Sequence, residues 1–506
     1  MPSPWWTECL LYEVYVRSFA DANGDGVGDL AGVAAHLDHL VDLGVDALWL
    51  TPFYRSPQAD HGYDVSDHRA VDPLFGDLAA FDELVARAHA RGLRVVVDVV
   101  PNHVSVEHPW FVEAVASPPG SPARRRFHVR PGRDDGAAPP NDWQSIFGGP
   151  AWTRLPDGEW YLHLFDPAQP DVNWAHPDVT AEYESIVRFW LDRGADGLRV
   201  DAAGALSKHP DYPDTIEGEP SPFSDRAETL EIYRGWRRVL DEYQPPRLLL
   251  AEAWGTPQVV SRYAAPGLMD ATFTFEVLYT PFEASALRSL VDAYLRGASD
   301  GEHLPSWVVG SHDSTRAATR WPDGADAAML LLALALPGGF CLYAGDELGL
   351  PEVDLPVEAR QDPTVRRSGG QDLGRDGARV PLPWSGSGRT FGFSPDDAMT
   401  PPWLPQPGSW GSRSVQVQRA DGGSRLNLVR AAISLRRSLW RGAGSLTWVP
   451  ERSGRDDVLQ LSRGEVHCAL TTGERGWPLP PGSEVLLTSR PFGDGVLPPR
   501  SAVWFR

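Results

Sequence analysis

The sequence predicts a (β/α)8 TIM barrel with an inserted subdomain after strand 3 and a C-terminal antiparallel β-sandwich domain. Two observations carry that expectation. Eight short, β-rich apolar runs alternate with amphipathic helical patterns, the signature of parallel β/α units. Polar and charged residues gather at the C-terminal ends of several of those runs, where barrels of this kind place their active sites. A chain of 506 residues has room for such a barrel and smaller units besides.

In order, the runs are LLYEVYVRSF (10–19), ALWLTP (47–52), LRVVVDVV (93–100), DGLRVDAA (196–203), RLLLAEAW (247–254), ATFTFEV (271–277), SWVVGSH (306–312) and FCLYAGDE (340–347). Helical patterns such as LAAFDELVARAHARG (78–92) and VTAEYESIVRFWLDRG (179–194) lie between them. Residues 104–174 break the rhythm, being rich in Pro, Gly, Asp and Trp. That stretch is too long for a plain loop and reads as the inserted subdomain. Residues 351–424 are loop-like again, and the helix LNLVRAAISLRRSLWRG (426–442) closes the barrel. The tail alternates in short runs such as VLQLSRG and EVLLTS, separated by turns. The expected domains are therefore 1–103 (barrel, first part), 104–174 (subdomain), 175–442 (barrel, remainder) and 443–506 (β domain).

Composition narrows the function. Lys+Arg is 46 and Asp+Glu is 68, a net charge of −22 that argues against nucleic-acid and anionic-membrane partners. Lys208 is the sole lysine, so the other cations are arginines. Cys9, Cys341 and Cys468 form neither a metal-binding spacing nor a disulfide framework. The start MPSPWWTECLLYE shows no secretion signal, and the apolar stretch 327–345 is broken by Pro337, Gly338 and Gly339. That stretch reads as a helix running into a barrel strand, not a membrane span. A cytoplasmic protein is expected.

A charge at the end of a buried strand costs free energy unless it is paired or used. Asp98 lies near the end of the third run, with Asn102 and His103 just after it; Arg199 and Asp201 end the fourth, Glu252 the fifth, and His312 and Asp313 the seventh. In a barrel these converge on one face. Three carboxylates around one pocket suit glycoside hydrolysis, in which one attacks the sugar and another donates and takes the proton. Arg199 shares a strand face with Asp201 and would keep it ionised, whereas Glu252 needs a raised proton affinity.

DVVPNHVS, GLRVDAAG, LLLAEAWG and VVGSHD, in that order, resemble the four signature regions of glycoside hydrolase family 13, the α-amylase family. QPDVNW (169–174) resembles a fifth, in the form of the oligo-1,6-glucosidase and α-glucosidase branch. The opening WWTECLLYEVYVRSFADANGDGVGDLAG and DHGYDVSDH (60–68) resemble that branch too. The resemblance implies Asp201 as nucleophile, Glu252 as acid/base and Asp313 as the acid on the 2- and 3-hydroxyls. It implies His103 and His312 on the glucose, Tyr63 stacked beneath it, and Asp60 on its 4-hydroxyl. Arg379, in RDGARVPLPW, would pair with Asp60 and close the pocket, making the enzyme exo-acting. Asp98 would support Arg199, and Phe147 and Phe165 either line the sugar site or pack the core.

The sequence departs from the family pattern in places. Ser311 stands where Asn is commoner, and Ala203 and Gly204 stand where α-amylases carry a Lys-His pair. Ala202 follows the nucleophile; in this branch a valine there accompanies α-1,6 cleavage and smaller residues α-1,4. In DANGDGVGD (21–29), Asp21, Asn23, Asp25, the Val27 carbonyl and Asp29 fall at EF-hand ligand positions, with Gly26 at the turn. The glutamate of the twelfth position is missing, Gly32 standing there. A structural Ca²⁺ is what the branch implies, against a tight Asx-rich turn without one; catalysis itself needs no cofactor. The expected function is a retaining exo-α-glucosidase acting on small oligosaccharides, with maltose-type α-1,4 linkages preferred. The alternatives are an oligo-1,6-glucosidase, a trehalose- or sucrose-isomerising transglucosylase, and a non-catalytic binding subunit.

Overall fold

The barrel strands are β1 (Leu10–Val14), β2 (Ala47–Leu50), β3 (Arg94–Val99), β4 (Gly197–Val200), β5 (Leu248–Ala251), β6 (Ala271–Thr272), β7 (Ser306–Val308) and β8 (Gly339–Tyr343). The computed structural model describes residues 4–298, 304–440, 445–450, 454–493 and 495–506. Neighbouring strands pair in parallel in the order β6-β5-β4-β3-β2-β1-β8-β7. A parallel bridge between Phe273 and Ser306 joins the two edges and closes the ring. The expected (β/α)8 fold is thus observed. Its strands are apolar along nearly their whole length because helices cover the outside and side chains fill the inside.

Each strand ends sooner than its apolar run. After Val14 the chain turns into the short helix Val16–Phe19, and after Thr272 into the 3-10 turn Phe275–Tyr279. Val16, Phe19, Phe275, Val277 and Leu278 of these turns are apolar and buried without extending the ladder. Register matters more for function. Arg199 stands level with Asp98 on β3 and Leu250 on β5, so β4 carries its cation beside its neighbour's acid.

The helix Leu78–His89 is capped by Asp77, whose carboxylate accepts from the Ala80 amide at 2.8 Å. It buries Phe81, Leu84, Val85 and Ala88, the helical spacing of a single face. Pro177 opens the helix Pro177–Asp192 at its first turn, where a missing N–H costs nothing. The apolar stretch 327–345 splits into helix Ala325–Ala335, buried all round, and strand β8. Among the described residues no helix is long and apolar enough to cross a membrane.

Between β3 and β4 lies a small antiparallel sheet of Val129–Pro131, Glu159–Leu162 and Trp152–Arg154. Bridges His103–Asp171 and Phe127–Val172 tie its base to the barrel. Its separate core of Trp143, Trp152, Leu162 and Leu164 also takes in Ala205 and Tyr212 from the loop after β4. At the C-terminal end a five-stranded antiparallel sheet and a two-stranded pair follow the helix Arg425–Leu439. Trp504 of that sheet donates its indole N–H to the Leu331 carbonyl at 3.2 Å, fastening the domain to the barrel. The expected boundary at 442/443 lies outside the described residues.

Candidate active site

Arg199 organises the floor of the site. One of its terminal nitrogens donates to both oxygens of Asp98, at 2.9 and 3.0 Å, and to Asp201 at 2.7 Å. The other lies 3.4 Å from Glu252. Its guanidinium also sits over the Trp49 ring, 4.7 Å from the centroid. Asp98 receives further hydrogen bonds from Trp49 and the Tyr63 hydroxyl, both at 3.2 Å. It has no exposed surface and works from behind Arg199.

The chain after β4 bends back on itself. Ala202 takes φ +45, a left-handed conformation that non-glycine residues seldom adopt. That bend turns its amide onto Glu252, to which it donates at 2.5 Å, while the Ala203 amide donates to the Glu252 carbonyl at 2.9 Å. The local strain therefore joins the ends of β4 and β5. Burial raises the proton affinity of both Asp201 and Glu252, and the Arg199 charge opposes it. Arg199 lies closer to Asp201 than to Glu252. The Glu252 charge raises Asp201 further, and the Asp313 charge raises Glu252.

Asp313 is a different acid. Burial pushes its carboxyl up, but His312, Arg375, Arg379 and Arg199 outweigh burial and hold it well below the usual range. Arg375 and Arg379 donate to the same oxygen at 2.9 and 2.8 Å. His312 is clamped, with Nδ1 2.5 Å from Glu13 and Nε2 2.9 Å from the Tyr63 hydroxyl and 3.2 Å from Asp313. Tyr63 and His312 stack at 5.6 Å with 11° between their planes. Burial holds His103 down to about 3, so it is neutral. It packs against Phe165, ring centroids 4.9 Å apart.

One expected pairing is not made. Arg375, not Arg379, reaches Asp60, at 2.9 Å, and also Asp362 at 2.6 Å. Arg379 is four residues further on, 1% exposed, and donates to the His312 carbonyl and Asp313 from behind. Both arginines come from the 3-10 turn at 376–378 and its flanks, and the turn directs only the first into the pocket. Burial lifts the Asp60 carboxyl to about 7 even with Arg375 opposing it. Gln169 donates to the other Asp60 oxygen at 3.1 Å.

These groups surround a cavity of about 660 Å³. Asp60, Tyr63, His103, Phe147, Phe165, Asp201, Ala202, Glu252, Asp313 and Arg375 line it. Asp98, Arg199, His312 and Arg379 stand behind that lining, each 1% exposed or less. Sequence reasoning missed Arg375, Glu13, Gln169 and Trp254. Glu13 had a signal, a lone acid inside an apolar strand. Lys208 had one as the only lysine; its ammonium is buried on Asp171 at 2.9 Å and Asn102 at 2.8 Å.

The loop 21–29 closes through its own amides. Asp21 accepts from Gly24 and Gly26, Asn23 from Asp25, Asp25 from Val27, and Asp29 from Ala22 and Gly32. Asp29 thereby caps the helix Leu30–Ala35. Among the described residues no group of three or more His, Cys, Asp or Glu side chains is arranged to hold a metal ion. These hydrogen bonds give the loop the form of an Asx-rich turn.

A closed β/α barrel with carboxylates at the ends of β4, β5 and β7, and arginines set between them, is the framework of a glycoside hydrolase. The family model described as alpha amylase, catalytic domain, matches residues 13–441, and the chain belongs to that family. A probable alpha-glucosidase of Rhizobium meliloti (strain 1021) is 37% identical over 473 residues, 86% of this chain and 83% of the relative. An alpha-glucosidase of Apis mellifera is 33% identical, across 92% of this chain and 83% of the relative. Among solved structures, the alpha-glucosyl transfer enzyme XgtA superposes with a TM-score of 0.87 at 34% identity, covering 99% of both chains.

Proposed function

We propose that this protein is a retaining exo-α-glucosidase that releases terminal glucose from short α-glucosides. The observation that carries the reading is one cavity lined by Asp201, Glu252 and Asp313 and, beside them, by the paired Asp60 and Arg375, which we take to close its end. Asp201, ionised beside Arg199, attacks the anomeric carbon while Glu252 gives its proton to the departing oxygen. Glu252 then takes a proton from water as that water cleaves the glucosyl-enzyme. Asp313, held as an anion, accepts the 2- and 3-hydroxyls as the ring flattens. Asp60 and Arg375 bind the terminal hydroxyls, Tyr63 lies beneath the ring, and neutral His103 and Phe165 border it.

The alpha-glucosidases among the relatives support this reading. The Ala202 methyl group supports a preference for α-1,4 linkages over α-1,6. A second reading, transfer of the glucosyl group to another sugar, is favoured by the likeness to XgtA and to the trehalulose synthase MutB, the latter at 29% identity and TM-score 0.90. Product analysis from maltose, isomaltose, sucrose and trehalose tests both. Glucose released from maltose, with α-glucose the first anomer formed from p-nitrophenyl α-glucoside, supports hydrolysis with retention; β-glucose as the first anomer from that glucoside, or no cleavage of any of the four sugars, overturns it. We further propose the cytoplasm as its location, supported by three buried free cysteines. Calcium in the loop 21–29 is also proposed, supported by the residue spacing alone. A melting temperature unchanged by EDTA and by added Ca²⁺ would remove it.

A further inference from the structure

Glu252 is gripped from both sides. The Ala202 amide donates to Oε2, and the indole N–H of Trp254 donates to Oε1. Trp254 lies two residues beyond Glu252 and turns back over it. Gly255, at φ +135, supplies a bend that side-chain-bearing residues rarely take. The indole ring lies flat on Phe275, centroids 4.4 Å apart and planes 12° apart, with the Tyr279 ring 6.1 Å away. Trp254 remains 39% exposed at the cavity mouth. Packing has thus fixed a largely apolar ring where water reaches it, with its single polar atom aimed at the acid/base.

We propose that Trp254 is a positioning residue: its indole N–H fixes the Glu252 carboxyl toward the scissile bond and sets the pH at which that group exchanges its proton. This rests on the reading of Glu252 as the acid/base. An indole N–H can only donate, so it favours carboxylate over carboxylic acid. The other groups facing Glu252 are accounted for. Arg199 stands below it and favours the anion, while Asp201 and Asp313 across the cavity favour the acid. The Tyr233 hydroxyl near by is committed to the Ala203 carbonyl at 2.7 Å. Among the described residues Trp254 is the one uncharged side-chain donor to Glu252, the other neutral donor being the Ala202 backbone amide, so its replacement leaves the charge set unchanged.

Trp254→Phe keeps a ring on Phe275 and removes only the donor. Loss of one charge-assisted hydrogen bond shifts the proton affinity of Glu252 upward by about one pH unit. With maltose, which needs a protonated acid, the alkaline limb of kcat/KM moves up by that amount. With p-nitrophenyl α-glucoside, under conditions where hydrolysis of the glucosyl-enzyme limits kcat, the acidic limb of kcat moves up as well, because the base form is then reached later. KM for maltose stays within about twofold, whereas Trp254→Leu, which also removes the ring, raises it. A merely structural residue would lower kcat without moving either limb. Limbs of Trp254→Phe that coincide with wild type overturn the proposal, whatever the residual activity. If Glu252→Gln cleaves maltose like wild type, the acid/base reading itself fails. If Glu252→Gln is inactive and the Trp254→Phe limbs stay in place, only the role of Trp254 fails.

Discussion

Removal of Arg375 isolates one carboxyl among the three it touches. Asp313 keeps Arg379 at 2.8 Å, and Asp362 keeps Arg379 at 3.5 Å and the Thr364 amide at 2.8 Å. Asp60 keeps only Gln169 at 3.1 Å among its side-chain donors. Breaking a buried ion pair from one side costs about 3–5 kcal/mol when the survivor stays charged. Asp60 has an escape, because burial already lifts it to about 7 with the arginine present. Without Arg375 it rises further and is neutral at pH 7. A folded-state value above the unfolded one favours the protonated form, so this stabilisation is full below about pH 3.9 and fades as pH rises through the folded value. In Arg375→Ala the fading extends above pH 7. The deficit in melting temperature against wild type is therefore small at pH 5 and larger at pH 8.5. A neutral Asp60 without its cation also loses its grip on the sugar. Loss of one charge-assisted hydrogen bond to the sugar, about 1.5–3 kcal/mol, at about 1.36 kcal/mol per decade predicts a fall of roughly 10- to 100-fold in kcat/KM for maltose. Melting curves at the two pH values and steady-state kinetics check this. Equal deficits at both, or KM and kcat near wild type, refute the assignment of Arg375 to the pocket's closed end. Arg379→Ala serves as the comparison, with a large stability loss and a smaller added dependence on pH around 7, because its charge acts on Asp60 less than that of Arg375.

Asp201→Asn and Glu252→Gln each lower kcat for maltose by at least about 10³-fold with an unchanged fold, but Glu252→Gln retains far more of its glycosylation rate on p-nitrophenyl α-glucoside; a tenth of wild-type maltose turnover in either would refute the roles. Ala202→Val lowers the maltose/isomaltose ratio of kcat/KM by about 10-fold or more. It also lowers the melting temperature, because a β-branched residue must take φ +45; an unchanged ratio removes the residue from the explanation. Lys208→Met strands Asp171, which has no exposed surface, and costs about 3–5 kcal/mol in denaturant titration; a loss below about 1 kcal/mol would show that the ion pair contributes little.

The barrel was legible because apolar runs and helical spacing repeat along the chain, and the carboxyls because a charge ending a buried strand has few reasons to be there. Strand ends were read too long. Val16, Phe275 and Val309 are as apolar as any strand residue, yet they are buried outside the ladder, and burial alone does not distinguish the two states. The choice between Arg375 and Arg379 was beyond the sequence for a related reason. Both belong to an aperiodic segment whose path is set by contacts distant in the chain, Asp60 being 315 residues away. The handedness of Ala202 was equally hidden, since alanine carries no signal for positive φ.

The seat of Lys208 bears on what the enzyme meets at work. Its product would be a reducing sugar, whose open-chain aldehyde condenses with exposed primary amines. Beyond the chain's own α-amino group, the only such amine belongs to Lys208, and its side chain is fully enclosed between Asp171 and Asn102. Every other cation is a guanidinium, protonated at any physiological pH and a poor nucleophile toward glucose. The surface therefore presents high glucose with almost nothing to glycate. For the same reason, amine-directed coupling would label or immobilise the folded protein at its α-amino group alone.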